Sequence, residues 1–292
     1  MRIGLIDVDG HRFPNLALMK LSAWHKANGD DVEIVFPLSR YDRVYASKVF
    51  TFTPDIDFVP LADEVFKGGT GYDLKNRLPD EVEHMRPDYS LYGITNTAYG
   101  YLSRGCPRGC PFCIVADKEG RASRKVSDLS EWWNGEREIK LLDPNLTACP
   151  DWRDLFGQLS ESGAAVDFTQ GLDIRLLTDE KIEALNSVKA KNIHFAWDNA
   201  GDDLVEDFKR FAGQARRKFA GCYAAVYVLT NFNSTIDQDL YRIYKLVELG
   251  FDPYVMVYDK DHAPREVRRL QRWCNNKIIF KGSGRRFEDY KG

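Results

Sequence analysis

A chain of 292 residues with an apolar fraction of 43% can bury one large core or two modest ones, which excludes a disordered segment. No stretch approaches the roughly 18 apolar residues of a membrane span, and Asp7 and Asp9 break the N-terminal apolar run as in a first strand, unlike a signal peptide; a cytoplasmic protein is expected. A net charge of −3 and a pI near 6.0 exert no global pull on a polyanion.

Residues 2–8 form an apolar β-type run, and a loop over 9–14 leads to a helix starting near Asn15. Its Leu16, Leu18, Met19, Leu21, Ala23, Trp24 and Ala27 suit a largely buried helix that Gly29 ends. A strand at 32–36 follows, and this β-α-β opening predicts a parallel sheet. Residues 44–52 and 58–61 are expected to add strands. Gly68, Gly69 and Gly71 make a turn before a polar connector that reaches Asp88.

From Ile94 the pattern becomes a repeating strand-helix alternation. The first strand, 99–103, runs into a loop rich in Gly and Pro that carries Cys106, Cys110 and Cys113. Such a loop folds back sharply and can turn three thiolates and several backbone amides towards one centre. Three thiolates at this C-x-x-x-C-x-x-C spacing can hold three irons of a cubane cluster. No fourth cysteine lies nearby, so one iron stays open. Phe112, just before the last cysteine, sets a flat apolar ring beside that corner, suited to a heterocyclic ligand.

On these residues the chain resembles the radical S-adenosylmethionine (SAM) superfamily. The resemblance implies a [4Fe-4S] cluster on Cys106, Cys110 and Cys113 whose open iron chelates the amino and carboxylate groups of SAM. It implies reductive cleavage of SAM to methionine and a 5'-deoxyadenosyl radical that abstracts hydrogen from a substrate, with a flavodoxin or ferredoxin as reductant. A zinc site is the competing reading; structural zinc takes four ligands in paired groups, and here there is one C-x-x-C pair with no His near it. The scattered Cys149, Cys222 and Cys274 read as reduced thiols of the core or surface, with a site role left open for Cys149.

A helix begins at Ser127 and runs to Trp133. Further strands are expected at 138–142, 165–169, 192–197, 223–229 and 254–257, with helices over 151–162, 179–188, 202–220, up to 249, and 264–273. Six such units imply a six-stranded partial (β/α)6 TIM-like barrel, matching the superfamily's fold over residues 94–280, with chemistry at the C-terminal strand ends. Each strand ends in a polar cluster. Taken singly these are turn chemistry; taken together they are candidates for a SAM pocket. Asp143 and Asn145 stand where the family often has a Gly-Gly-Glu stretch for the SAM amino group. Arg175 can pair with the SAM carboxylate or form a surface ion pair. Gln170 and Asp198 are candidates for the ribose hydroxyls, and Asn231 and Tyr258 for SAM or substrate.

The opening also resembles the cobalamin-binding domain that precedes the radical domain in one subgroup. The family's D-x-H-x-x-G motif corresponds to Asp9, His11 and Pro14, and Ser47 and the pair Gly68, Gly69 fall in the expected order. Proline replaces the last glycine and the intervening segments are short, which argues against room for a corrin and its nucleotide tail. The expected organisation is a small Rossmann-like domain over 1–90, the partial barrel over 91–280 and a loosely held tail over 281–292. Arg265, Arg268, Arg269 and Arg272 mark a solvated helix face or an approach for an anionic substrate, nucleic acid included. A cobalamin-dependent radical SAM methyltransferase and a non-catalytic iron–sulfur or zinc module are the alternatives. Methylthiotransferases, which bring further cysteines in their first domain and a C-terminal RNA-binding barrel, rank below these. The substrate is not specified by any motif.

Overall fold

In β1 (Arg2–Asp7) alternation decides the first sheet, because Ile3 and Leu5 point to one face and Gly4 and Ile6 to the other. On the first face Leu18 of α1 (Leu16–Ala27) packs on Ile3 and Leu5; on the second, Ile6 meets Tyr41, Val44 and Ala46. Asn15 opens α1 by accepting the Leu18 N–H, and Gly29 beyond its end takes φ +80°. With β2 (Asp31–Ile34), β3 (Arg40–Ser47) and β4 (Leu61–Gly68) the strands form a parallel sheet in the order β2-β1-β3-β4. The computed structural model describes residues 1–10, 13–214 and 223–292.

The β-α-β opening is as the pattern predicts, and the next two strands are displaced from 44–52 and 58–61. The Asp9 carboxylate accepts the Val49 and Phe50 N–H groups at 2.5 and 3.3 Å and the Thr53 hydroxyl at 2.7 Å, which draws the chain out of the ladder after Ser47. Pro60 has no N–H to give, and β4 starts at the next residue. Among the described residues, the connections from β2 to β3 and from β3 to β4 carry no helix. The layered helices of a Rossmann-like domain are thus represented by α1.

The same compact unit, Met1–Leu142, continues through α2 (Asp80–Glu83) to β5 (Thr97–Gly100), β6 (Ser103–Arg104), α3 (Val115–Glu119), β7 (Arg124–Lys125) and β8 (Glu138–Leu141). β5 and β8 are parallel, and β6 and β7 form an antiparallel pair. Two expectations are corrected. The strand over 99–103 ends at Gly100, where the Trp132 ring lies so close that a Cβ would come within 2.4 Å of it. The helix from Ser127 is a single tight turn, Leu129–Glu131, capped by Asp128. Ser127 does not cap it, since its hydroxyl donates to the Tyr101 carbonyl at 2.5 Å and accepts the Trp132 indole N–H at 3.1 Å.

The second unit, Asp143–Gly292, alternates α4 (Trp152–Ser162), β9 (Ala165–Phe168), α5 (Asp179–Ser187), β10 (Ala190–Ala196), α6 (Val205–Gln214), β11 (Tyr223–Thr230), α7 (Ile236–Glu248), β12 (Asp252–Val257), α8 (Arg265–Asn275) and α9 (Lys277–Gly282). Its strands are parallel in sequence order. Thr178 caps α5 and Gly163 ends α4 at φ +62°, both as expected. Phe195 leaves the sheet towards α6, meeting Phe208, Phe211 and Phe251 edge-on. The helix predicted over 202–220 is described as far as Gln214; the rest of it and Cys222 lie outside the described residues. Cys149 and Cys274 are buried, and burial pushes the Cys274 thiol up to about 12. The architecture is thus mixed α/β built on parallel sheets.

The tail is held, contrary to the expectation for 281–292. Phe280 and Phe287 pack edge-on against the buried Trp273, whose indole N–H donates to Ser283 Oγ at 2.7 Å. Arg269 turns to the end of the chain and donates to the Tyr290 and Gly292 carbonyls. Its neighbours Arg265, Arg268 and Arg272 are exposed on the opposite side of α8 from Val267, Leu270 and Trp273. Because Phe287 is 8% exposed, Phe287→Ala should cost about 3 kcal/mol, read as a lower urea midpoint with an unchanged slope.

Candidate functional site

The cysteine loop leaves β6 and returns into β7, so the Ser103–Lys125 and Arg104–Arg124 pairings form its stem. Gly105 (φ +94°) follows at once, and a Cβ there would stand 2.1 Å from the Ala122 carbonyl oxygen, which admits only glycine. The Cys106 N–H then donates to the Gly120 carbonyl at 3.1 Å, and the Cys113 N–H to the Cys110 carbonyl at 3.0 Å. Gly109 (φ +57°) lies against the Arg121 guanidinium. The sharp fold anticipated from Gly and Pro is therefore present, with Cys106, Cys110 and Cys113 half-buried thiols and Phe112 half-buried beside them.

Charged groups close the stem. Arg104 Nη1 bonds Glu119 Oε1 at 2.9 Å and Arg104 Nη2 bonds Glu83 Oε1 at 2.9 Å, while the guanidinium lies 4.0 Å from the Tyr101 ring centre. Lys20 Nζ reaches the same Glu83 oxygen at 3.1 Å and also donates to the Glu83 carbonyl. Burial works to raise the Glu83 carboxyl, but Lys20 and Arg104 outweigh it and hold the group below its ordinary range. Burial lowers Lys20, against the pull of Glu83.

Among the described residues, no group of three His, Cys, Asp or Glu side chains is placed to hold one metal ion. A cubane takes each thiolate at a different corner. Cys106, Cys110 and Cys113 lie on this one closed loop and are the residues that would hold such a cluster.

The other sequence-predicted residues lie in the second unit. Asp143 and Asn145 are buried at its start, where Asn145 Oδ1 accepts the Thr147 hydroxyl at 2.9 Å. Gln170 is exposed in the turn after β9. Arg175 Nε meets Asp173 at 2.7 Å and its Nη1 meets Asp202 at 2.8 Å, so the ion-pair reading has its partners. Asn231 takes φ +62° and its amide donates to the Tyr258 carbonyl at 2.8 Å, joining the turns that follow β11 and β12. Tyr258 itself is exposed.

Sequence reasoning missed Arg242. It is 1% exposed and donates to the carbonyls of Trp197, Asp198 and Leu229, with Asp239 as its ion partner at 2.5 Å. A buried guanidinium thus fastens the ends of β10 and β11 together. The signal was available: Asp239 and Arg242 interrupt the apolar spacing of Ile236, Ile243 and Leu246 on α7. Also missed was the face of this sheet turned away from Phe195, where the His194 and Tyr227 rings stack at 5.3 Å and Asn192 donates to Asp167 at 2.9 Å.

Asp198 stands beside this fastening. Burial pushes its carboxyl up to about 6 from 3.8, against the pull of Arg242, Arg175 and the Leu229 N–H. A folded pKa above the unfolded one favours the protonated form, so the stabilisation is complete below about pH 4 and lost as pH rises through about 6. Asp198→Asn should flatten this part of the stability profile and leave the protein about 2 kcal/mol more stable near pH 7, measured by urea unfolding across pH. A variant profile parallel to the wild type would refute the assignment.

Among known proteins, no family model matches the chain. The ribosomal protein uS12 methylthiotransferase RimO of Chlorobium phaeobacteroides (strain BS1) is 28% identical over 147 residues, 47% of this chain and 31% of that protein. This chain therefore matches under a third of the length of that curated relative. Two structures of Streptococcus suis SuiB, one bound to precursor peptide SuiA and one to S-adenosylmethionine, share 12% and 13% identity with a TM-score of 0.43 in each case. They cover 66% and 72% of this chain and 47% and 53% of theirs. The similarity to RimO supports the radical SAM superfamily, which the cysteine loop resembles.

Proposed function

We propose that the protein is a radical SAM enzyme whose [4Fe-4S] cluster is held by Cys106, Cys110 and Cys113. The observation that carries this reading is the closed loop with three half-buried thiols at C-x-x-x-C-x-x-C spacing, supported by the similarity to RimO. When bound, the cluster supplies the electron that cleaves SAM to methionine and a 5'-deoxyadenosyl radical, which takes hydrogen from the substrate. The chain's own part is binding and orientation. Phe112 offers an apolar ring beside the last thiol, and the loop's backbone amides can face sulfur.

In the second unit, Asp198 is the ribose candidate best supported by its setting, a carboxyl at a strand end whose burial favours a hydrogen-bonding partner over a free charge. Arg175 already spans Asp173 and Asp202, so a role with the SAM carboxylate would require it to exchange one of them. The fold that serves this chemistry is the six-stranded partial barrel expected from residue 94 onward, with a small electron carrier such as flavodoxin or ferredoxin as reductant. Methylthio transfer is the activity in the relative's name. It stays with that relative, since this chain matches under a third of its length.

Protein purified and reconstituted without oxygen should contain about four iron and four sulfide per chain and release 5'-deoxyadenosine from SAM on reduction. Alanine at any of the three cysteines should abolish both. Stoichiometric zinc without iron in the wild type would overturn the proposal.

A further inference from the structure

We propose that Lys20, Glu83, Arg104 and Glu119 form an ionic clasp through which the N-terminal helices hold the cysteine loop shut. They are positioning residues for the iron–sulfur site, an assignment that rests on the cluster reading above. Arg104 stands two residues before Cys106, and Glu119 immediately precedes Gly120, whose carbonyl takes the Cys106 N–H. A single guanidinium therefore joins the outgoing limb of the loop to its returning limb, at 2.9 Å. Its other terminal nitrogen joins both limbs to Glu83 of α2, and Lys20 of α1 completes the pairing of that carboxylate.

The setting makes these contacts consequential. The side chains of Arg104 and Glu119 are 18% and 8% exposed, so water screens their pairing poorly and removal of one partner leaves an uncompensated charge. The planar guanidinium meets the two carboxylates through two separate terminal nitrogens, Nη1 and Nη2. A second tie runs in parallel: Lys118 of α3 donates to Thr70 Oγ1 at 2.6 Å, and Arg77 donates to the Lys118 carbonyl. The N-terminal region thus grips α3, on the returning limb, by way of α1, α2 and the segment after β4. Three thiols must reach one cluster together, and a loop closed at its base limits how far they can separate.

The test compares the full-length wild type with Arg104→Met, Glu119→Gln and Arg104→Lys. In metal-free protein, hydrogen exchange of amides 105–123 should quicken roughly tenfold or more in the first two, while β8 and the second unit keep their rates. Iron retained per chain after reconstitution should fall by more than half in the same two variants. Arg104→Lys should lie between them and the wild type, since its single nitrogen cannot stand where both terminal nitrogens of the guanidinium do. Unchanged exchange in Arg104→Met and Glu119→Gln, or loss of protection spread over β1 and β3 in both, would overturn the clasp. If the wild type itself took up no iron, the cluster reading would fail, and the exchange comparison would still decide whether these residues shut the loop.

Discussion

The loop that carries three cysteines has its two limbs held together, and its stem is fixed by contacts that tolerate little change. The paired strands β6 and β7 supply direction, Gly105 supplies the close approach to Ala122, and Arg104 links the limbs through Glu119. Backbone pairing alone would be weak, since each strand is two residues long. The buried ion pairs therefore matter more here than elsewhere on the surface. Pairs such as Arg153–Glu180, both 69% exposed, sit in water and contribute little.

The second unit solves a related problem by a different route. Parallel strands end with carbonyls that the next turn must satisfy, and Arg242 takes three of them from below while Asp239 balances its charge. This brings a fixed positive charge close to Asp198, and burial still prevails over that attraction. Burial at the end of β10 thus favours the protonated Asp198 carboxyl despite the nearby guanidinium.

Much of this was legible in the sequence, for identifiable reasons. Apolar runs bounded by Gly, Asn or Thr caps gave β1, α1 and the alternation after residue 143, because there local propensity and tertiary packing agree. The failures fall where a side chain bonds a distant backbone group. Asp9 pulls residues 49–53 out of the sheet from forty residues away, and Ser127 serves Tyr101 in place of a helix N-terminus. The held tail was hidden for the same reason, since Phe287 and Arg269 meet only after α8 and α9 have folded back. That the three cysteines share one sharply folded loop was readable from the Gly and Pro between them. Glu83 and Lys20 were not, because no spacing rule links residues 20, 83 and 104.

That long-range pattern also bears on the N-terminal sheet, whose first loop resembles a cobalamin motif. His11 lies outside the described residues, but other polar groups of the motif are already engaged within the sheet. Asp9 accepts from Val49, Phe50 and Thr53, and the buried Ser47 hydroxyl accepts from Asn15 at 2.9 Å. Gly69 lies against the Lys48 carbonyl, leaving no space for even a Cβ on that side. A corrin tail would have to displace several of these contacts at once, in a loop stiffened by Pro14. The same sheet sends α1 and the segment after β4 towards the cysteine loop, where Lys20 and Thr70 find their partners. Its residues are thus committed to one another and to the loop.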